Sequence, residues 1–470
     1  MSPSLHVLIC GGGFEAVLTA CHLAQAVSPA VKVTLMPTVH DDRDDWAYLV
    51  LDPEPAAMLR TLGVSDPLLI SRCRFNYRLG TRLDGFPGQT ASHYLPLGGI
   101  GEDWGGTGFL HHWRRLSPDA TLDDYYSYSP AVLAMKSGRF APADPRNRVG
   151  TLQHETGLHI QPRDVTALLL HNAKRLGVTV LDQGLDGIER TDTGEITHLR
   201  DTSGTVHAAD LFVDATGRQS RLGGREDWQG PPPVYLSSHH VEPVDPRTEA
   251  RLTAREDGWT LDITTGSQGH TFFIDDQPGK SQALAIQTGH ALTPWTGNVV
   301  RVGQAGLDQP VLIGLAARAL LEQVETLIKL LPAGNAPDAE RAEYNRLAVE
   351  RGTALADLSA IYEAARHAQL NDITPPHLAV RTRLFGHRGH VVPDDAPILE
   401  AADWTRHCLA VGLFPRHHDP LSERLPTQEL TRRRAELRQT LERVVAEFPP
   451  HEAFLSMMIQ TARKMQGMTA

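Results

Sequence analysis

"HVLICGGGFEAVLTACHLAQ", His6 to Gln25, joins an apolar run to three consecutive glycines and then to a helical pattern. His6 to Cys10 reads as a short buried strand. Phe14 to Val27 reads as a helix, with apolar residues at Val17, Leu18, Cys21, Leu23 and Ala24. At the junction Gly11 permits a tight turn, Gly13 lets a backbone come close to a pyrophosphate, and Ala16 is the third small position, where helix packs on strand. A helix start in this setting favours an anion, because its free amides and its dipole both point outward. A second strand, "VKVTLM" from Val31 to Met36, follows. The pattern is that of a dinucleotide-binding α/β module. Such modules hold the adenosine ribose with an acidic residue at the end of the second strand, and Pro37 stands there instead. His40, Asp41 and Asp42 are the polar residues nearby, either as substitutes or as plain loop surface.

A chain of 470 residues that is 41% hydrophobic can bury a large core and has room for two interwoven domains. Its 45 Lys and Arg against 56 Asp and Glu leave a formal charge of −11, the wrong sign for binding nucleic acid or anionic lipid. Cys10, Cys21, Cys73 and Cys408 show no paired spacing, so they read as scattered core thiols in a reducing cytoplasm rather than as disulfides or a zinc site. No signal-like start and no apolar stretch of membrane-spanning length is present, so neither secretion nor a membrane is expected. The 23 histidines include His111-His112, His239-His240, His387/His390 and His417-His418, none within a metal motif, and they are expected to be surface or hydrogen-bonded residues.

A second nucleotide element lies far downstream. In "AADLFVDATGRQSRL", Ala208 to Leu222, an apolar strand delivers Asp214-Ala215-Thr216-Gly217, the turn with which many flavoproteins close over the flavin nucleotide. Between the two elements the spacing predicts a helix from about Arg163 to Leu176, a strand, and hairpins turning at Thr193-Gly194 and Ser203-Gly204. Thr427 opens a long amphipathic helix with a stripe of Leu430, Leu437, Leu441, Val444, Val445 and Phe448. "TLDDYYSYSPAVLAMKSGRFAPADPRNRVG", rich in Tyr, Ser and Pro, is expected to be a loop, with Lys136 a surface lysine.

With these elements in place, the chain resembles the flavin-dependent tryptophan halogenase family, a branch of the FAD-dependent monooxygenase fold, over nearly its whole length. "HYLPLGGIGEDWGGTGFLHHWRRL" (His93 to Leu116) is similar to the family's Tyr-Phe-His-Pro-Phe segment and the Trp-containing helix after it. "ETGLHIQPRDVTALLL" resembles the family's His-x-Asp strand and helix, with Gln161 at the Asp position. "PWTGNVVRVGQAG" (Pro294 to Gly306), with Gly303, resembles the flavin-facing strand and turn, and "GLFPRHHDPLSERLP" the stretch before the last long helix. The resemblance implies an α/β fold: a Rossmann-like FAD-binding module of the glutathione-reductase type, with interleaved substrate-side segments and a helical C-terminal part. Its expected extent is residues 1–45, 150–225 and 285–325, with 46–149, 226–284 and 326–470 as the substrate-side and helical part. Gly11, Gly13, Ala16, Asp214, Gly217 and Gly303 are then the expected cofactor-binding residues.

The residues that carry halogenation in the family depart from its pattern. In the family, reduced flavin, oxygen and halide give hypohalous acid, which passes down a tunnel to a lysine. In "RFNYRLGTRL" that lysine position is Arg78, and a guanidinium that stays protonated is a poor proton-transfer partner and a poor site for a haloamine. Of the Trp-x-Trp-x-Ile-Pro signature, Trp259 and Ile263 match while Leu261 and Thr264 replace Trp and Pro. The flavin-side loop falls on "AYLVLDPEP", where only Pro53 or Pro55 corresponds. The halide-side turn reads "QPVLIG", with Pro310 matching and Leu312 and Ile313 in place of Glu and Ser. The stacking His-Pro-Phe reads Leu95-Pro96-Leu97, which has no aromatic faces. No metal ligand set is implied.

Three readings are open on these residues. One is an active FAD-dependent halogenase or monooxygenase with altered residues and a small-molecule or peptide aromatic substrate other than tryptophan, supplied with reduced flavin by a separate reductase. Another is a flavin-binding subunit that does not halogenate and pairs with an active relative. The third is a non-catalytic protein that has lost flavin. The expectation taken forward is a halogenase-like protein unable to use the lysine route, with weak or absent FAD, assembling as a homo-oligomer or as a hetero-oligomer with an active relative.

Overall fold

The computed structural model describes the chain apart from residues 1–4, 90, 143–153, 280–282, 310–313, 333–337, 374, 393–396 and 468–470. Two compact units share it. Met1–Arg74, Ile160–Val234 and Leu284–Ala356 form the first; Phe75–His159, Tyr235–Ala283 and Asp357–Ala470 form the second.

The first unit is built on a six-stranded sheet in the order Trp295–Thr296, Val299–Arg301, Leu211–Asp214, Leu5–Cys10, Val31–Met36, Val178–Val180. All neighbours are parallel except the first pair. Parallel neighbours need a crossover, and Phe14–Val27 supplies the one between Leu5–Cys10 and Val31–Met36. The helix Phe14–Val27 and the strand Val31–Met36 have the bounds that the apolar spacing predicts, and the first strand begins one residue earlier than expected, at Leu5. The helix is buried along its first three turns and packs on Pro162–Ala173 and Leu315–Lys329, so its stability comes from tertiary burial. It ends where Ser28 N–H donates to Ala24 O and Pro29 follows. The predicted hairpins form as Leu185–Arg190, Ile196–Asp201 and Val206–His207, and their Leu185, Ile196 and Leu199 pack with Leu8, Met36 and Phe212 in one apolar cluster.

In the second unit, Tyr235 to Val241, Gln268–Asp275, Gly258–Thr265, Glu249–Arg255, Gly80–Asp84 and His93–Pro96 lie side by side in that order. Each pair is antiparallel except Glu249–Arg255 with Gly80–Asp84. One face is buried through alternate residues, such as His270, Phe272 and Ile274 on one strand and Ala250, Leu252 and Ala254 on another. Helices complete the unit, including the long Thr427–Glu447, which buries Leu430, Leu437, Leu441 and Val445 of the expected stripe.

One expectation is corrected here. The Tyr- and Ser-rich stretch after Ala120 is not a loop. It forms the helices Leu122–Tyr126 and Pro130–Ser137, with Tyr125, Tyr126 and Tyr128 buried. Ser129 Oγ accepts Val132 N–H, Pro130 opens the helix, and Gly138 closes it at φ 62°, a start and a stop that outweigh the loop-like composition. The rest of that stretch, residues 143–150, falls outside the described residues.

Among the described residues, no helix is long and apolar enough to cross a membrane.

Candidate functional site

The two nucleotide elements, 200 residues apart in sequence, meet at the C-terminal ends of adjacent strands. Cys10 pairs with Asp214 and Met36 in register, Ala215 N–H donates to Cys10 O at 2.9 Å, and Gly11 N–H donates to Met36 O at 3.2 Å. A Cβ on Gly11 would lie 2.1 Å from Ala215 O and 2.5 Å from the Ala16 methyl. Only glycine fits between the two elements, and Ala16 is small for the same reason. Ligands of open α/β sheets bind at this edge, outside the carboxyl ends of the strands.

What lies over the glycines is protein. The Asp45 carboxylate accepts the Phe14 N–H, at 3.2 Å from Oδ1 and 3.4 Å from Oδ2, on the helix-start amide that suits a phosphate. A Cβ on Gly13 would stand 2.3 Å from the His40 ring and 2.8 Å from Asp45 Oδ1, so these two side chains fill the approach that Gly13 opens. His40 Nε2 and Asp45 Oδ2 form an ion pair at 3.0 Å. Burial pulls the imidazole pKa down, but the Asp45 carboxylate, with Asp44 and Glu15 nearby, outweighs it and holds His40 above its ordinary value.

Glu15, the next residue of the helix, is 2% exposed. Its Oε2 accepts the Gln304 N–H at 2.9 Å and the Tyr48 hydroxyl at 2.7 Å, while Oε1 has no hydrogen-bond partner. Burial pushes its pKa up to about 7 against the two hydrogen bonds. Gly303, at φ 60°, lies so close that a Cβ would be 2.1 Å from Glu15 Oε2. Arg218 is the cation of this group, its Nε on Asp308 at 2.6 Å and its Nη1 on Asp44 at 3.0 Å.

This arrangement does not fit a bound dinucleotide. Its helix-start amide is taken by a carboxylate, the space over Gly13 is filled, and Asp45, Asp44 and Glu15 all act on the His40 ring that lies over that glycine, so a diphosphate would arrive beside acidic groups.

Asp214 also faces its own chain. Oδ1 accepts Thr216 N–H (3.1 Å) and Thr216 Oγ1 (2.6 Å); Oδ2 accepts Ser220 Oγ (3.1 Å), Leu222 N–H (2.9 Å) and Gly223 N–H (2.8 Å). Five donors occupy a wholly buried carboxylate, and it pins the turn through Gly217, whose φ of 66° suits glycine.

In the second unit, Arg78 ends the strand Phe75–Arg78 at 1% exposure, with Nη2 donating to Thr81 Oγ1 at 3.0 Å. Thr81 is opposite Leu95 and Gly80 opposite Pro96, and Leu97 N–H donates to Leu79 O at 2.8 Å. The fold therefore does bring Arg78 and Leu95-Pro96-Leu97 together, and it adds His159, a wholly buried imidazole with no hydrogen-bond partner on either nitrogen. Burial first, and the charge of Arg78 second, hold His159 well below its ordinary pKa, so it is neutral. Trp259 is elsewhere. It pairs with Ala254, five residues along from Glu249, the partner of Gly80, a separation of about 17 Å at 3.4 Å per residue. Its indole is 1% exposed and donates to Glu363 Oε1 at 2.6 Å, a core position.

Pro310, Leu312 and Ile313 lie outside the described residues. Lys136 forms an ion pair with Asp123. His111, His390 and Asp419 each bring one potential metal-ligand atom within 4.8 Å, but they already serve one another: His390 Nε2 is 2.9 Å from Asp419, and Asp419 N–H donates to His111 Nδ1 at 3.2 Å. Asp45, Glu15 and Tyr48 are the residues that sequence reasoning missed. The acidic run "HDDRDD" and the unusual Glu two positions after Gly13 were the available signals.

A parallel sheet with a glycine turn at its switch edge, joined to a mixed sheet and a helical C-terminal part, defines a protein of the FAD-dependent monooxygenase class of fold. The chain belongs to the tryptophan halogenase family, whose sequence model matches residues 6–277 and 271–427. It is similar to tryptophan 7-halogenase KtzQ of Kutzneria sp. (strain 744), 25% identical over 237 residues, which are 47% of this chain and 43% of that enzyme. It is 21% identical over 392 residues to tryptophan 7-halogenase RebH of Lentzea aerocolonigenes, covering 72% of each. The matched stretch is thus less than half of the first enzyme's length. In fold it resembles BrvH, a flavin-dependent halogenase from Brevundimonas sp. BAL3, with a TM-score of 0.83 and 21% identity over 96% of this chain and 99% of that one.

Proposed function

We propose that this chain keeps the halogenase fold without the lysine route of halogenation, and serves as a non-catalytic subunit beside an active relative. The observation that carries this reading is Arg78. At the position where the family resemblance places a lysine stands a buried guanidinium bonded to Thr81, and the neighbouring Leu95-Pro96-Leu97 offers no aromatic face to an indole. A guanidinium stays protonated through the neutral range and does not take up an oxidant as a free amine does. Neutral His159 is close to Arg78 but is wholly buried, so it offers no exposed base in its place.

The test supplies reduced FAD from a flavin reductase, oxygen, chloride or bromide, and tryptophan, simple indoles or a tryptophan-containing peptide. No halogenated product is expected by mass spectrometry from the chain alone. A halogenated product formed at a rate proportional to the concentration of this chain overturns the reading. Its subunit part is tested by co-expression with a family member that retains the lysine: a stable complex by sedimentation supports it, and strictly separate species remove it.

A further inference from the structure

We propose that the segment Asp42–Tyr48 is a built-in occupant of the dinucleotide cradle: its Asp45 takes the helix-start amide of Phe14 at the glycine turn, Glu15 of the adjoining helix takes the Gln304 amide at the Gly303 turn, and together they keep FAD out.

Four features support this. The Asp45 carboxylate sits on Phe14 N–H with both oxygens within 3.4 Å, as a phosphate would at a helix start. Asp45 is 5% exposed and Phe14 wholly buried, so the contact belongs to the interior rather than to a passing surface bond. The segment is fastened along its length. Asp41 caps its start by accepting Arg43 N–H, Gln304 Nε2 donates to Asp44 O at 2.9 Å, and the Tyr48 hydroxyl holds Glu15 while its ring packs on Phe14 at 5.2 Å between centroids. Finally, both nearby cations already hold carboxylates of the chain. Arg218 is engaged by Asp308 and Asp44, and His40 by Asp45, so a diphosphate would enter beside three carboxylates already paired with a cation, and beside Glu15, an acid with none among the described residues.

The Phe14 and Gln304 amides are thus satisfied by the chain's own carboxyl groups. This goes beyond the functional reading and does not depend on the chemistry of Arg78.

The test is a direct titration of the full chain with FAD, and with ADP as the diphosphate half, read by calorimetry and by flavin fluorescence. Wild type is expected to show no saturable binding up to millimolar ligand. The double variant His40→Ala/Asp45→Ala, which clears the space over Gly13, is expected to bind FAD at least tenfold more tightly than wild type. Asp45→Asn keeps the size of the side chain and removes its charge; it is expected to gain affinity too, and it carries the test if the double variant does not fold. Micromolar FAD binding by wild type overturns the proposal, as does a folded variant with no gain. FAD binding without halogenated product would remove this inference and leave the functional reading standing; halogenated product would remove the functional reading.

Discussion

The Tyr48 hydroxyl donates to Glu15 Oε2 at 2.7 Å, inside a site where both residues are at most 2% exposed. Together with Gln304 N–H it leaves one oxygen of Glu15 bonded twice and the other bonded to nothing. A carboxyl in that position holds its proton far longer than one in water.

Stability therefore depends on pH through Glu15. Its folded pKa is raised from 4.5 to about 7, so its contribution is full below about pH 4.5 and is lost as pH rises through about 7. A shift of this size is worth on the order of 3 kcal/mol, at about 1.4 kcal/mol per unit. Glu15→Gln cannot ionise and removes that dependence. Urea unfolding of both proteins between pH 4.5 and 8 is expected to show wild type losing stability relative to the variant; parallel curves would refute the assignment.

Asp214 has an unfolding cost of its own. Because its carboxylate accepts five donors of the turn Thr216 to Gly223, Asp214→Ala strands buried amides and is expected to cost about 3 kcal/mol or more with no ligand present. Asp214→Asn, which keeps one accepting oxygen, should cost less. Denaturant midpoints that match wild type in both variants would mean that the residue is not a staple.

The same residues show how far the sequence could be read. Phe14–Val27 and Val31–Met36 have the bounds expected from the sequence alone, because each is a nearly continuous apolar run, buried residue after residue, as a parallel strand and the helix packed on it are. Gly11 and Ala16 were legible for a related reason: close approach of two backbones leaves no choice of residue. Asp45 was not legible. It reaches Phe14 from 31 residues away, out of a run of acids whose spacing resembles any polar loop. Asp214 matched a nucleotide-binding turn, yet its side chain serves the turn itself, a distinction that only the hydrogen bonds draw. Trp259 matched a signature by its neighbours in sequence, while the register of Gly258–Thr265 carries it to the far end of the sheet from Arg78.

Arg78→Lys restores the family residue in name only. The lysine loses the guanidinium contact to Thr81, and the adjacent strand still carries Leu95-Pro96-Leu97, which offers no stacking surface. With reduced FAD, oxygen and chloride supplied, the variant is expected to give no chlorotryptophan by mass spectrometry. Product above the no-protein control would show that Arg78 is the single block.

Gly11 and Gly13 look alike in the sequence but should respond differently to the same methyl group. At Gly11 the added Cβ meets the Ala215 carbonyl oxygen at 2.1 Å and the Ala16 methyl at 2.5 Å, and both are fixed by neighbouring strands of the sheet or by the helix packed on it. Neither can move aside, so Gly11→Ala must push the strands apart, and a cost of about 3 kcal/mol or more is expected, at the upper end for overpacking. At Gly13 the Cβ meets the His40 ring at 2.3 Å and Asp45 Oδ1 at 2.8 Å, which are side chains on a loop and a short helical segment. They can rotate away, at the loss of the Asp45 contact to Phe14 N–H, and a cost of about 1 kcal/mol is expected for one hydrogen bond. Urea denaturation of the two variants, each without any flavin, checks the order. If Gly13→Ala proves as damaging as Gly11→Ala, then His40 and Asp45 are held as rigidly as the sheet itself.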